Sequence, residues 1–132
     1  MAFKYSVSLR VRHPDVDPEK MIVGIGRTAR RYWTVGEERK TPKGTPLPGI
    51  YRESYCAFDL GESEDGQLAD FLRQTLVELE HAADFIRDLR RTGGEVSYYV
   101  SWFPGDTGET FDVDLLADMA RLGIDLGIVP VC

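Results

Sequence analysis

The densest chemistry in this chain is cationic. Arg27, Arg30, Arg31, Arg39, Lys40 and Lys43 crowd one stretch, interleaved with Tyr32 and Trp33 and leading into prolines at 42, 46 and 48. Planar guanidinium groups beside aromatic rings bind carboxylates, phosphates or nucleobases, by forked hydrogen bonds and by stacking. The plainer alternative is a solvated strand face whose tryptophan packs into the core and whose arginines pair with acidic helices. A second aromatic group, Tyr98, Tyr99, Trp102 and Phe103, reads as core on one side, with Tyr99 exposed.

Other combinations carry less. A Cys–His nucleophile would need Cys56 beside His13 or His81, with a third group orienting the imidazole. Cys56 instead falls in the apolar register of a strand, as a small buried hydrophobe does. His13, next to Pro14, reads as a turn residue and His81 as an exposed helix residue. Two cysteines and two histidines far apart lack the paired ligand spacing of structural zinc. Asp15, Asp17 and Glu19 could crowd oxygens round calcium or magnesium, but Pro18 and the missing glycine turn depart from the calcium-loop pattern. Helix capping explains Asp17 more simply. Gly24 and Gly26 lack the third glycine and the Gly-Lys-Ser/Thr of a phosphate cradle, so they end a helix. No metal and no cofactor is expected. His13, Asp15 and Asp17 remain as polar groups for a small-ligand or catalytic cleft.

Regular elements must hold these groups in place. The run from Phe3 puts Phe3, Tyr5, Val7, Leu9 and Val11 on one side and Lys4, Ser6, Ser8, Arg10 and Arg12 on the other. That period of two is a half-buried strand. Asp17 caps a helix opened by Pro18 and closed by Gly24 and Gly26. A short exposed strand follows over 27–33, then a long loop over 37–49, whose prolines cannot serve a hydrogen-bonded ladder regularly. Alternation resumes over 50–60. Leu68, Phe71, Leu72, Thr75, Leu76 and Leu79 keep one helical stripe that predicts helix over most of 67–91, with Asp65 as cap and a bend at Glu80–His81. Val96, Tyr98, Val100 and Trp102 mark a fourth strand, Asp112 or Asp114 caps a last helix stopped by Gly123, and Ile124, Leu126 and Ile128 close the chain as a strand.

The order β-α-β-β-α-β-α-β predicts a two-layer α+β domain. Its mixed, mostly antiparallel five-stranded sheet carries the helices on one face. Asp15-Val16-Asp17 and Asp112-Val113-Asp114 each precede a short helix, hinting at two related strand-helix-strand units.

With 132 residues, 42% hydrophobic and 29% charged, the chain fits one globular domain over 1–132 and neither a disordered segment nor a coiled coil. No apolar stretch approaches the ~18 residues of a membrane span, and the amino terminus alternates where a secretory leader would be continuously apolar. Two cysteines make no disulfide framework, and Cys132 reads as part of a frayed end, so a cytoplasmic location is expected. The net charge of −6 is uneven: residues 1–45 hold 10 Lys/Arg and 5 Asp/Glu, whereas 46–132 hold 6 and 17. An acidic chain repels a polyanion, which disfavours nucleic acid unless the basic half gathers on one face.

Three motifs in order, Asp17-Pro18-Glu19-Lys20-Met21-Ile22, Trp33-Thr34-Val35-Gly36 and Leu122-Gly123-Ile124-Asp125-Leu126-Gly127-Ile128, resemble the bacterial domain-of-unknown-function family 4279 over nearly the whole chain. One position departs: Tyr55 stands where the resemblance leads one to expect a tryptophan. The resemblance implies a small single α+β domain of bacterial origin and brings no activity, substrate or catalytic residue. Some small domains of this kind are suspected antitoxins or immunity proteins, by analogy alone.

The first functional expectation is therefore non-catalytic binding of an acidic protein, through Arg27, Arg30, Arg31, Tyr32, Trp33, Arg39, Lys40, Lys43 and the 37–49 loop. The second is a small-ligand receptor or enzyme using a cleft at His13, Asp15 and Asp17. The third is single-stranded nucleic acid stacked on Tyr32 and Trp33. The oligomeric state is left open.

Overall fold

The structure is a computed structural model describing residues 2–131, so Cys132 lies outside the described residues. In chain order its elements are β1 (Lys4–His13), α1 (Pro18–Ile25), β2 (Arg31–Trp33), β3 (Glu38–Lys40), β4 (Pro46–Ile50), β5 (Ser54–Ser63), α2 (Leu68–Leu79), a 3-10 turn (Glu80–Ala82), α3 (Ala83–Arg91), β6 (Glu95–Phe103), α4 (Val113–Leu122) and β7 (Asp125–Pro130). The main sheet has the order β2-β5-β1-β6-β7 and is antiparallel except for the β6–β7 pair, the mixed, mostly antiparallel five-stranded sheet that the element order predicts. Leaving aside β3–β4 and α4–β7, the strand order is that of a ferredoxin-like split β-α-β domain.

Period-two patterning decides which face is covered. Tyr5, Val7, Leu9 and Val11 of the central strand join Cys56 and Phe58 of β5 and Val96, Tyr98 and Val100 of β6 in one core. Met21 and Ile25 of α1, the α2 stripe from Leu68 to Leu79, Ile86 and Leu89 of α3, and Leu115, Met119 and Leu122 of α4 all enter that same core. All the helices therefore cover one face, each fully buried large side chain contributing about 1.5–3 kcal/mol. The other face is open and polar, with Ser6, Ser8, Arg10 and Arg12 on β1, Tyr55, Ala57 and Asp59 on β5, and Ser97, Tyr99 and Ser101 on β6 in register with them.

Several local expectations need correction. The 37–49 segment is a two-stranded ribbon, β3 paired with β4, in place of a loop. Its prolines are tolerated because Pro46 opens a strand and Pro48 lies in one that pairs on a single side, where alternate amides need no acceptor. Tyr51 ties the ribbon, accepting from the Lys40 N–H at 3.2 Å and donating to the Lys40 carbonyl at 3.0 Å. Of the 27–33 strand only Arg31–Trp33 pairs in the sheet. Asp17 occupies the N-cap position with extended backbone but its side chain accepts no cap bond, so Pro18 sets the helix start. Asp65 precedes the cap position of α2: it accepts from the Gln67 N–H at 2.9 Å and from the Tyr5 hydroxyl at 2.8 Å, and these bonds hold its carboxyl below the usual range. Asp112 caps as expected, accepting from the Leu115 N–H at 2.9 Å.

Candidate functional site

The cationic stretch divides once it is folded. Arg27 turns to the helical side and pairs with Glu78 of α2 at 3.0 Å, so its charge is spent on the fold. Arg30, exposed at the sheet edge, pairs with Asp59 of β5 at 2.8 Å. Arg31 and Trp33 stand on the open face, opposite Ala57 and Tyr55, while Tyr32 points to the other side and is exposed. Arg39 and Lys40 lie on β3, and Lys43 sits in the turn joining β3 to β4. A solvent-facing depression of 700 Å³ gathers Tyr32, Trp33, Arg39 and Lys40 with Tyr51 and the carboxylates Glu37 and Glu38.

Trp33 is the pivot of this surface. It stacks on Tyr51 with centroids 4.6 Å apart and planes 10° apart, and on Tyr55 at 4.2 Å and 21°. The Arg31 guanidinium lies 4.9 Å from its ring, and that of Arg12 lies 4.8 Å from the Tyr55 ring. The indole N–H donates to the Glu53 carbonyl at 3.1 Å, and Arg12 pairs with the Glu53 carboxylate at 2.9 Å. Each ring pair contributes about 0.5–1.5 kcal/mol beyond burial, so the stack is a stiff platform between sheet and ribbon. With two tyrosines and an arginine against it, the indole has little surface left for a base to stack on. Sequence placed Arg12 on the polar side of the first strand and marked Tyr55 only as a departure from the family resemblance, and it did not single out Tyr51. The stacking role of either tyrosine gave no local signal, because it depends on β5 bringing Tyr55 opposite Trp33 and on the ribbon bringing Tyr51 onto the indole.

A second depression, of 480 Å³, lies at the middle of the open face, lined by Ser6, Ser8, Arg10, Tyr99, Ser101 and the Arg30–Asp59 pair among others. Arg10 stacks 3.5 Å from the centroid of Tyr99, and its Nε–H is buried without an acceptor. Alternation already set Arg10 on the polar side of β1. Its isolation from carboxylates appears only with the register.

Of the polar groups offered for a cleft, His13 is buried and Asp15 and Asp17 are exposed. His13 is 3% exposed, and its Nδ1 accepts from the N–H groups of Asp15 and Val16 at 2.9 and 3.0 Å. Nε2 therefore carries the ring proton and donates to the Thr92 hydroxyl at 2.8 Å. Asp15 and Asp17 are exposed to solvent. His13 thus shapes the turn after β1 and ties it to the end of α3. Replacing His13 with alanine is expected to cost about 2 kcal/mol, since two backbone donors lose their acceptor; urea melts showing no loss would contradict that role. Cys56 is wholly buried, and burial pushes its thiol up to about 11, which opposes the thiolate a nucleophile needs. Among the described residues no group of three or more His, Cys, Asp or Glu is placed to hold a metal, and no helix is long and apolar enough to cross a membrane.

A family model described as a domain of unknown function (DUF4279) matches residues 3–131. No curated protein and no solved structure matches the chain.

Proposed function

We propose that this chain, which belongs to the DUF4279 family over nearly its whole length, is a non-catalytic binding module of the bacterial cytoplasm whose partner is an acidic protein seated on the ribbon and the Trp33 stack. Charge segregation carries the reading. Residues 27–53 hold seven Lys/Arg against three Glu, while the rest of the chain holds nine against nineteen Asp/Glu. Arg31, Arg39, Lys40 and Lys43 make no ion pair among the described residues. An otherwise acidic molecule therefore meets an acidic partner favourably at this end, which steers encounter and fixes orientation. Tryptophan, tyrosine and arginine are the side chains that dominate binding energies at interfaces. The stack is already ordered, so docking on it loses little side-chain entropy. Leu47 and Ile50, exposed on β4, supply apolar surface beside the charges.

A glutamate-rich decapeptide titrated into isotopically labelled protein tests the surface directly. Amide shifts are expected at Arg31, Lys40, Lys43 and Tyr51, weakening as salt screens the charges. The double variant Arg31→Glu, Lys40→Glu should weaken the peptide at least tenfold, about 1.4 kcal/mol, while losing no more than about 1 kcal/mol of stability with the Arg31–Trp33 contact, whereas Arg27→Glu should leave binding alone. Shifts scattered over the helical side, or none, would remove the ribbon from consideration. A single-stranded oligonucleotide moving the same amides at lower concentration than the peptide would replace the protein reading with a nucleic-acid one.

A further inference from the structure

The depression at the middle of the open face is not explained by the ribbon surface. Its floor is low because Ser6, Ser8 and Ser101 are short and lie side by side, Ser6 opposite Ser101 and Ser8 opposite Tyr99 on the neighbouring strand. Arg10 stands beside them, its guanidinium held flat 3.5 Å from the Tyr99 ring centroid. That stacking fixes the plane of the fork before any ligand arrives. Asp59, a carboxylate on the same depression, is engaged by Arg30 at 2.8 Å. Arg10 is left with a buried Nε–H that has no acceptor, and with no ion pair among the described residues. Buried donors are matched as a rule, and an unmatched one on a side chain that lines a depression marks an arginine without its usual protein acceptor. Hydroxyls alongside can donate to a second oxygen of the same group.

Charge narrows the class. Arg10 and Arg30 are balanced by Asp59 and Glu62 around the depression, so every negative charge on a ligand meets two carboxylates as well as two cations, and one charge is tolerated better than two. We propose that this depression is a binding site for a small molecule bearing a single carboxylate, its oxygens accepting from Arg10 and from the serine hydroxyls. The site is separate from the ribbon, and either can fail without the other.

Sodium acetate is the probe, titrated into the full chain labelled with nitrogen-15, with sodium chloride and sodium phosphate at matched ionic strength as parallel arms. Acetate should shift the Arg10 side-chain Nε–H signal and the amides of Ser8 and Ser101, saturating in the millimolar range expected of so small a ligand. Arg10→Gln should weaken acetate at least tenfold. Should that variant lose its native spectrum, Ser101→Val, a change a strand tolerates well, should weaken acetate while leaving the fold and the Arg10 signal in place. Identical shifts with chloride, undiminished binding in whichever of these variants keeps its native spectrum, or no saturable shift would overturn the proposal. Phosphate binding as tightly as acetate would also overturn it, since the carboxylates at the rim would then not be selecting charge.

Discussion

Gly94→Ala is expected to lower unfolding free energy by about 3 kcal/mol, the upper end for overpacking a close-fitted site, and the melting temperature by about 10 °C. A Cβ at this position would lie 2.8 Å from the carbonyl oxygens of both Arg12 and Leu89 and 2.9 Å from the His13 ring. Two of those three contacts are backbone, so no side-chain rotation relieves them. The Gly94 N–H also donates to the Leu89 carbonyl at 2.7 Å, which pins the residue where α3 hands the chain to β6. Only hydrogen fits between the end of β1, the end of α3 and the start of β6. Gly108, whose Cβ would meet nothing within 4 Å, provides the matched control; its alanine variant should stay within about 0.5 kcal/mol of the parent. Equal denaturant midpoints for the two variants would show that the junction yields and that the close approach is not structural.

Gly94 also marks how far the chain could be read without coordinates. The pair Gly93-Gly94 signalled the end of a helix, and the helix ends there, but the three-way closeness that forbids a side chain belongs to tertiary packing. The same division runs through the rest of the fold. Phe3 to Val11, Val96 to Trp102 and the α2 stripe were legible because burial on one face writes its own period into the sequence. The β3–β4 ribbon was not, because it is exposed throughout and its alternation carries no burial signal, while Pro46 and Pro48 argue against a strand wherever a second neighbour is assumed. For the candidate site, residue type was enough to single out Arg31, Trp33, Arg39 and Lys40. It could not separate them from Arg27, whose partner Glu78 is distant in sequence, nor foresee that Tyr51 and Tyr55 would take the indole surface. His13 was read as a turn residue and is one. What its residue type could not tell is that both ring nitrogens are used in holding that turn.

Alkaline solution is expected to unfold this protein earlier than its neutral behaviour suggests, with stability falling steadily from about pH 9 towards 12. Burial pushes Tyr98 up to about 12, its hydroxyl hydrogen-bonded to Thr75 at 2.8 Å inside the core. Burial also pushes Tyr5 up to about 12, helped by the adjacent Asp65 carboxylate, and Cys56 up to about 11. In each case the folded chain keeps a proton that the unfolded chain releases first, so stability falls as pH rises. The contribution is complete below the unfolded values, 9.0 for the thiol and 10.0 for the phenols, and is gone once pH passes the folded ones. Two units for Tyr98 alone amount to on the order of 2–3 kcal/mol. Tyr98→Phe separates this from the general loss of lysine charge at high pH. The variant gives up the Thr75 bond, about 1 kcal/mol at every pH, but its stability should decline less steeply between pH 10 and 12, by about one proton's worth, 1.4 kcal/mol per pH unit. Parallel pH profiles for parent and variant in urea melts would mean that Tyr98 ionises as readily folded as unfolded. That result would place water, rather than the α2 stripe, against its hydroxyl.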